Sequence, residues 1–87
     1  MRLNKFRKEI NKIDAKILKL LARRFLIANK IKDIKKKEKL PIRDQKREEE
    51  IFLEINILSK QLNLNPVFTK EMFKKIIKES RRLQNEK

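Results

Sequence analysis

Apolar residues recur along the first part of the chain at alternating steps of three and four positions. Such spacing brings side chains onto one face of an α-helix. The members of this N-terminal stripe are Leu3, Phe6, Ile10, Ile13, Ile17, Leu20, Ile27, Ile31 and Ile34. They predict one helix over residues 3–37, which ends before Leu40-Pro41 because a residue that precedes proline is disfavoured in the helical conformation.

Two shorter helices are predicted in the rest of the chain. The second covers residues 44–62, and its apolar stripe is formed by Ile51, Ile55, Leu58 and Leu62. Asn65 is a suitable N-cap for a third helix over residues 66–85, because Pro66 fits the first helical position. The inner face of this helix carries Phe73, Ile76, Ile77 and Leu83. We therefore expect an all-α fold in one domain of residues 1–87.

The predicted first helix is too long for one protomer to cover. Residues 3–37 extend over about 50 Å as a helix, whereas a globule of this chain length has a radius of gyration of about 12 Å. We therefore expect an intertwined homodimer of three-helix protomers, in which the two long helices pair and the shorter helices pack across both. A plain coiled coil would share the stripe, but Pro41 and Pro66 argue against it.

Arg24 occupies a position of the N-terminal stripe where an aliphatic residue is expected. A guanidinium stays charged, and burying it without a counter-charge costs several kcal/mol. Arg24 therefore needs either a carboxylate of the chain or a bound anion. Lys35 follows eleven residues later, about three helical turns, and points to the same side of the helix.

Polar residues interrupt the other two stripes in the same way. Continuing the second stripe backwards reaches Glu48 and then Asp44, with Arg47 beside them. On the third helix, Ser80 and Gln84 continue the line of the inner apolar residues. All three predicted helices thus turn polar groups towards the interior.

Arg7 suggests a site shared between two chains. It precedes Arg24 by seventeen residues, or roughly 25 Å along one helix, which is too far for both to hold one small ligand. In an antiparallel dimer, the partner's Arg7 would approach Arg24 and Lys35. A pocket with three cations and few anions favours a compact ligand with two negative charges.

Composition excludes several kinds of chemistry. The 87 residues include no Gly, Cys or His, which rules out disulfides, Cys or His metal sites, glycine-rich phosphate loops and Ser-His or Cys-His triads. We expect no metal and no cofactor. No apolar run reaches the roughly 18 residues that span a bilayer, and no signal peptide is evident, so we expect a cytoplasmic protein without membrane association. The net charge of +14 favours anionic partners without choosing among them.

Eight polar residues form one set over the three helices: Arg7, Arg24, Lys35, Asp44, Arg47, Glu48, Ser80 and Gln84. They lie in or near the strings Leu21-Ala22-Arg23-Arg24, Leu40-Pro41-Ile42-Arg43-Asp44, Arg47-Glu48 and Glu79-Ser80-Arg81-Arg82-Leu83-Gln84. In this arrangement the chain resembles the all-helical chorismate mutases of the AroQ class, over essentially its whole length and without insertion or deletion. The resemblance implies an intertwined dimeric isomerase that converts chorismate into prephenate in phenylalanine and tyrosine biosynthesis. With no second domain after Lys87, it implies a free-standing mutase.

The same resemblance implies a role for each residue. Arg24 and the partner's Arg7 would pair with the two carboxylates of chorismate. Lys35 and Gln84 would donate to the ether oxygen, and Glu48 would accept from the ring hydroxyl. Asp44, Arg47 and Ser80 would hold that end of the substrate. The catalytic residues would be Lys35, Gln84, Glu48 and Arg24.

Simpler structural roles exist for several of these residues. Asp44 can act as a helix N-cap. Arg47 can form an ion pair with Asp44 or Glu48 on its own helix. Ser80 can bond back to the preceding helical turn.

Three other functions compete with the mutase. Isochorismate-pyruvate lyase shares the fold and the cationic pocket, although Glu48 suits the hydroxyl of chorismate. A basic nucleic-acid-binding protein fits the charge, but the chain has no Tyr or Trp and no recognition motif. A helical interaction module would fold without turnover. We expect chorismate and a second copy of the chain as partners, and no nucleic acid.

Overall fold

The computed structural model describes residues 1–85, which form three α-helices. These are α1 (Arg2–Lys37), α2 (Gln45–Gln61) and α3 (Pro66–Asn85), and no strand occurs among the described residues. The all-α, three-helix prediction is confirmed. The observed ends of α1 and α2 differ by one residue at most from the predicted ranges 3–37 and 44–62, and α3 covers 66–85.

Side-chain caps define where α2 and α3 begin. The Asp44 carboxylate accepts a hydrogen bond of 3.0 Å from the backbone N–H of Arg47. The Asn65 side chain accepts one of 2.9 Å from the backbone N–H of Val67. Each bond satisfies an N–H group that has no partner inside its helix.

The C-terminal ends of α1 and α2 both turn through a left-handed residue. Lys39 has a φ of 57° and Asn63 a φ of 58°. The backbone N–H of Leu40 bonds to the carbonyl of Lys35 at 2.7 Å, and that of Leu64 to the carbonyl of Ser59 at 2.8 Å. These are Schellman motifs, which glycine usually closes. This chain has no glycine, so non-glycine residues bear the steric cost.

Helix α3 packs against both α1 and α2. The buried apolar residues are Ala28 on α1 and Ile77 on α3, each 6% exposed. Buried hydroxyls also join the helices: Ser59 on α2 and Thr69 on α3 share a hydrogen bond of 2.7 Å. The predicted inner face of α3 is confirmed, since Phe73, Ile76, Ile77 and Leu83 are all buried or half-buried.

The predicted stripe of α2 is correct only in its first half. Ile51 and Ile55 are half-buried, but Leu58 and Leu62 are 51% and 59% exposed in the protomer. At this end of α2, Ser59 rather than Leu58 faces α3, where it is buried and shares a hydrogen bond with Thr69.

The N-terminal stripe lies uncovered along α1. Its nine members are between 42% and 61% exposed. The protomer has an accessible surface of 7933 Å², whereas a folded monomer of its mass exposes about 5,500 Å². The radius of gyration is 16.2 Å, and the longest dimension is 57 Å. The excess over such a monomer is about 2,400 Å², and the exposed N-terminal stripe of α1 contributes to it.

None of the helices formed by residues 1–85 is both long enough and apolar enough to cross a lipid bilayer.

The left-handed residue at the end of α1 gives a prediction about stability. We expect Lys39→Gly to raise the free energy of unfolding by about 0.5–1 kcal/mol, because glycine adopts this conformation without steric cost. Lys30→Gly, in the exposed interior of α1, should instead lower it by about 1 kcal/mol. Denaturant unfolding at one fixed protein concentration measures both. A loss for Lys39→Gly similar to that for Lys30→Gly would contradict the assignment.

Candidate active site

A cavity of about 350 Å³ lies between the three helices and the connection from α1 to α2. Seven of the eight polar residues selected from the sequence line this cavity: Arg24, Lys35, Asp44, Arg47, Glu48, Ser80 and Gln84. They come from helix positions far apart in the chain, so their meeting depends on how α3 packs on α1 and α2.

Arg24 enters the cavity from the middle of α1. Its Nη1 donates a hydrogen bond of 3.0 Å to Oγ of Ser80 on α3. Partial burial lowers the pKa of the guanidinium, and the nearby charge of Arg47 lowers it further. No carboxylate among residues 1–85 forms a salt bridge with Arg24. The first alternative from the sequence, a structural ion pair, is therefore not observed in the described chain.

Lys35 lies about three helical turns after Arg24 on the same side of α1, near its C-terminal end. Its Nζ donates to the backbone carbonyl of Ile42 at 2.5 Å and to Oε1 of Gln84 at 3.3 Å. The loop and α3 thus hold the ammonium from two sides. Because both acceptors are neutral, the charge of Lys35 is not balanced by them.

Glu48 is the more buried of the two carboxylates that line the cavity. Its side chain is 14% exposed, and Oε2 lies 3.6 Å from Nη1 of Arg81 and 3.7 Å from Nε of Arg43. These contacts tie α2 to α3 and to the loop before α2.

Asp44 and Arg47 stand at the exposed edge of the cavity. Asp44 is the N-cap of α2, so its simpler structural role is observed together with its place on the cavity wall. The Arg47 side chain pairs with Glu50 at 3.5 Å, and not with Asp44 or Glu48 as the sequence suggested; Glu50 lies three residues further along the helix, a spacing that allows such a pair. The side chain of Ser80 accepts a hydrogen bond from Arg24. The structure thus shows a contact between α1 and α3 for Ser80, rather than the alternative of a bond to the preceding turn of α3.

Arg7 is the one selected residue that does not line the cavity. It is exposed on the first turns of α1, about 25 Å along the helix axis from Arg24. Within one protomer, the structure does not bring Arg7 to the other seven residues.

Two contributors to the cavity were missed from the sequence. One is Arg81, which lines the cavity beside Glu48. Its spacing of four from Ile77 and three from Gln84 is the signal that could have found it. The other is the backbone carbonyl of Ile42, which no side-chain pattern could reveal.

The charges around the cavity favour a small dianion. Among residues 1–85, four cationic side chains and two carboxylates line it, and the remaining wall is mostly isoleucine. One carboxylate is held by arginines and the other caps a helix, so Arg24 and Lys35 remain available to a ligand. No cluster of metal-binding side chains is found in the described part of the chain. The arrangement can bind and orient an anion and donate hydrogen bonds to it.

An all-helical protomer with such a cavity defines a class of protein suited to binding a small organic dianion. Comparison with known proteins gives the family: residues 6–85 match the family model of chorismate mutase type II. The chain belongs to this family.

Curated relatives agree with this assignment. A protein of Methanocaldococcus jannaschii named chorismate mutase is 35% identical over 85 residues, which cover 98% of this chain and 86% of that protein. Bifunctional chorismate mutase/prephenate dehydratases are also similar. The Aquifex aeolicus protein is 43% identical over 77 residues, or 88% of this chain, and the Buchnera aphidicola protein of Schizaphis graminum is 41% identical over 75 residues, or 86%. The chain spans 21% and 20% of these two proteins. No solved structure is significantly similar. Family and relatives together support chorismate mutase activity.

The environment of Arg24 gives a second prediction. Arg24→Met removes a partly desolvated cation without a carboxylate partner, so we expect the free energy of unfolding of the ligand-free protein to stay level or rise, by at most about 1 kcal/mol after solvent screening. Turnover of chorismate should fall at least about 100-fold. The matched control is Arg23→Met at the exposed neighbouring position. If Arg24→Met lowers the stability by more than about 1 kcal/mol relative to this control, Arg24 is a structural residue.

Proposed function

We propose that the chain converts chorismate into prephenate in the cavity described above. The observation that carries the proposal is the gathering of seven polar residues with a surplus of positive charge around one cavity, in a chain that belongs to the chorismate mutases. Chorismate is a compact dicarboxylate, so its two negative charges match the positive surplus.

The reaction needs little from the protein beyond orientation and charge. In this Claisen rearrangement the ether C–O bond breaks as a new C–C bond forms, with no proton transfer, no nucleophile and no redox change. The cavity has to hold the substrate in a folded, chair-like conformer and stabilise negative charge as it develops on the ether oxygen. Arginine, lysine and amide side chains are sufficient for both tasks.

Lys35 and Gln84 are the proposed donors to the ether oxygen. Their side chains already converge, with Nζ of Lys35 3.3 Å from Oε1 of Gln84. The amide nitrogen of Gln84 remains free to donate, and the carbonyl of Ile42 fixes the ammonium from the other side. Preorganised donors of this kind stabilise the transition state because they need not reorient during the reaction.

The other residues are proposed to hold the ends of the substrate. Arg24 and the partner's Arg7 pair with the two carboxylates, for which the fork of a guanidinium is well suited. Glu48 accepts from the ring hydroxyl. At the same end of the substrate the supporting residues are Asp44, Arg47 and Ser80.

An intertwined, antiparallel homodimer is part of the proposal. A two-fold axis near residues 15 and 16 of α1 would place Arg7 of the partner subunit opposite Arg24. The same axis would pair the exposed members of the N-terminal stripe from Leu3 to Leu20 with those of the second chain. The excess surface of about 2,400 Å² per protomer has the size of an obligate interface. The organisation of residues 1–87 as one domain and a cytoplasmic location stay predictions.

The direct test follows the loss of chorismate absorbance with purified protein and separates the products. Prephenate as the product supports the proposal. Release of pyruvate with a hydroxybenzoate, or from isochorismate with little prephenate, would favour the lyase. No turnover of either substrate would leave a helical binding module as the better interpretation.

Lys35 gives the sharpest single-residue prediction. Lys35→Ala should lower kcat at least about 100-fold, because it removes a donor to the oxygen on which charge develops. Lys37→Ala, at an exposed position of the same helix end, should leave kcat within about twofold. Circular dichroism checks that both variants keep their helices. Unchanged kcat in Lys35→Ala would reject its role.

Subunit mixing tests the shared site. Arg7→Ala and Arg24→Ala proteins should each be almost inactive, but each heterodimer formed after joint unfolding and refolding has one site with both arginines. Random assembly of equal amounts makes half of the dimers mixed, so activity should return to about one quarter of wild type. If no mixing ratio recovers activity, Arg7 does not act across the interface.

A further inference from the structure

Glu48 is held by two arginines that differ in their relation to the cavity. Arg81 and Arg43 contact the same oxygen, Oε2, at 3.6 Å and 3.7 Å. The side chain of Arg81 is 30% exposed and lines the cavity. That of Arg43 is 61% exposed and does not line it. The two contacts are thus similar in length but unequal in solvent screening, and the less exposed pair is the stronger.

The position of Arg81 follows from the helical geometry of α3. Ile77, Arg81 and Gln84 lie at spacings of four and three, so they share one face. Ile77 and Gln84 also line the cavity. The guanidinium of Arg81 therefore reaches Glu48 on α2 from the same face that presents Gln84.

The contact pattern leaves one oxygen of Glu48 available. Both arginines approach Glu48 at Oε2, and no hydrogen bond among the described residues occupies Oε1. A carboxylate whose second oxygen is fixed has lost rotational freedom, so its first oxygen has a defined direction. The charge of Arg81 also offsets that of Glu48, which would otherwise repel a dianionic substrate.

We propose that Arg81 is a positioning residue: it fixes the Glu48 carboxylate as the acceptor of the substrate's ring hydroxyl and neutralises its charge. This inference rests on the proposed mutase function and adds a residue to its site. Because the hydroxyl contact exists in the bound substrate as well as in the transition state, loss of Arg81 affects KM more than kcat.

The test compares Arg81→Met with Arg43→Met, a matched control that removes the other arginine from the same oxygen. Arg81→Met should raise KM for chorismate about tenfold with kcat within about threefold of wild type. Arg43→Met should change both by less than about twofold. Arg81→Lys, which keeps the charge, should recover most of the affinity. Loss of folded protein alone would instead lower the apparent kcat and leave KM unchanged.

A double-mutant cycle shows whether Arg81 acts through Glu48. In a Glu48→Gln background, Arg81→Met should change KM by less than about threefold, because the carboxylate it positions is gone. The same tenfold effect in both backgrounds would overturn the inference, as would equal effects of Arg81→Met and Arg43→Met in the wild-type background. If Arg81→Met does not fold, Arg81→Gln enters the same cycle.

The controls separate failure of the inference from failure of the function. If the wild type is active and Arg81→Met leaves KM and kcat unchanged, only the positioning role is overturned. A wild type that does not convert chorismate overturns the proposed function and, with it, this inference.

Discussion

Unbalanced positive charge inside a small helical protein is the constraint on which the rest of this molecule depends. Arg24 is half-buried and bonded to a neutral hydroxyl, and the pKa of its guanidinium is lowered by burial and, to a smaller extent, by the charge of Arg47. Lys35 is likewise held by neutral acceptors. Such an arrangement costs free energy in the ligand-free protein, and an anion that fits the cavity recovers it. Binding sites commonly carry strain or desolvation of this kind, because the ligand then completes the electrostatics.

The same helix that bears this charge also connects folding to assembly. Helix α1 contributes Arg24 and Lys35 to the cavity, but it leaves its N-terminal stripe exposed. In proteins most helical stability comes from packing of an apolar face, and the N-terminal part of α1 lacks such packing in the protomer. In the proposed dimer, the second chain covers the stripe and brings Arg7 of the partner subunit to the cavity. Burial of apolar surface and completion of the site are then one event, so dissociation would remove activity as well as stability.

Much of the fold could be predicted from the sequence because its signals are local. Apolar residues spaced three and four positions apart predicted the helices. The capping preferences of Asp44 and Asn65 predicted where two of the helices begin. The polar interruptions at Arg24 and Ser80 predicted groups that meet across helices, and these two do meet. Features that depend on how the helices pack could not be predicted from the sequence. Ser59 rather than Leu58 lies at the α2–α3 contact, where it shares a hydrogen bond with Thr69.

The sequence also could not predict which carboxylate each arginine pairs with. Arg47 has acidic neighbours on both sides along α2, and rotamer and solvent decide among them. The Arg81–Glu48 contact joins two helices, so no spacing within one helix predicts it.

Thermal unfolding in increasing concentrations of two ligands tests whether the cavity lacks two negative charges. The ligands are prephenate, a dicarboxylate, and phenylpyruvate, a monocarboxylate of similar size. We expect prephenate to raise Tm progressively, with about 2.7 kcal/mol of stabilisation at a hundredfold excess over Kd, and phenylpyruvate to raise it far less. Equal shifts with both ligands, or no shift with prephenate, would contradict this expectation.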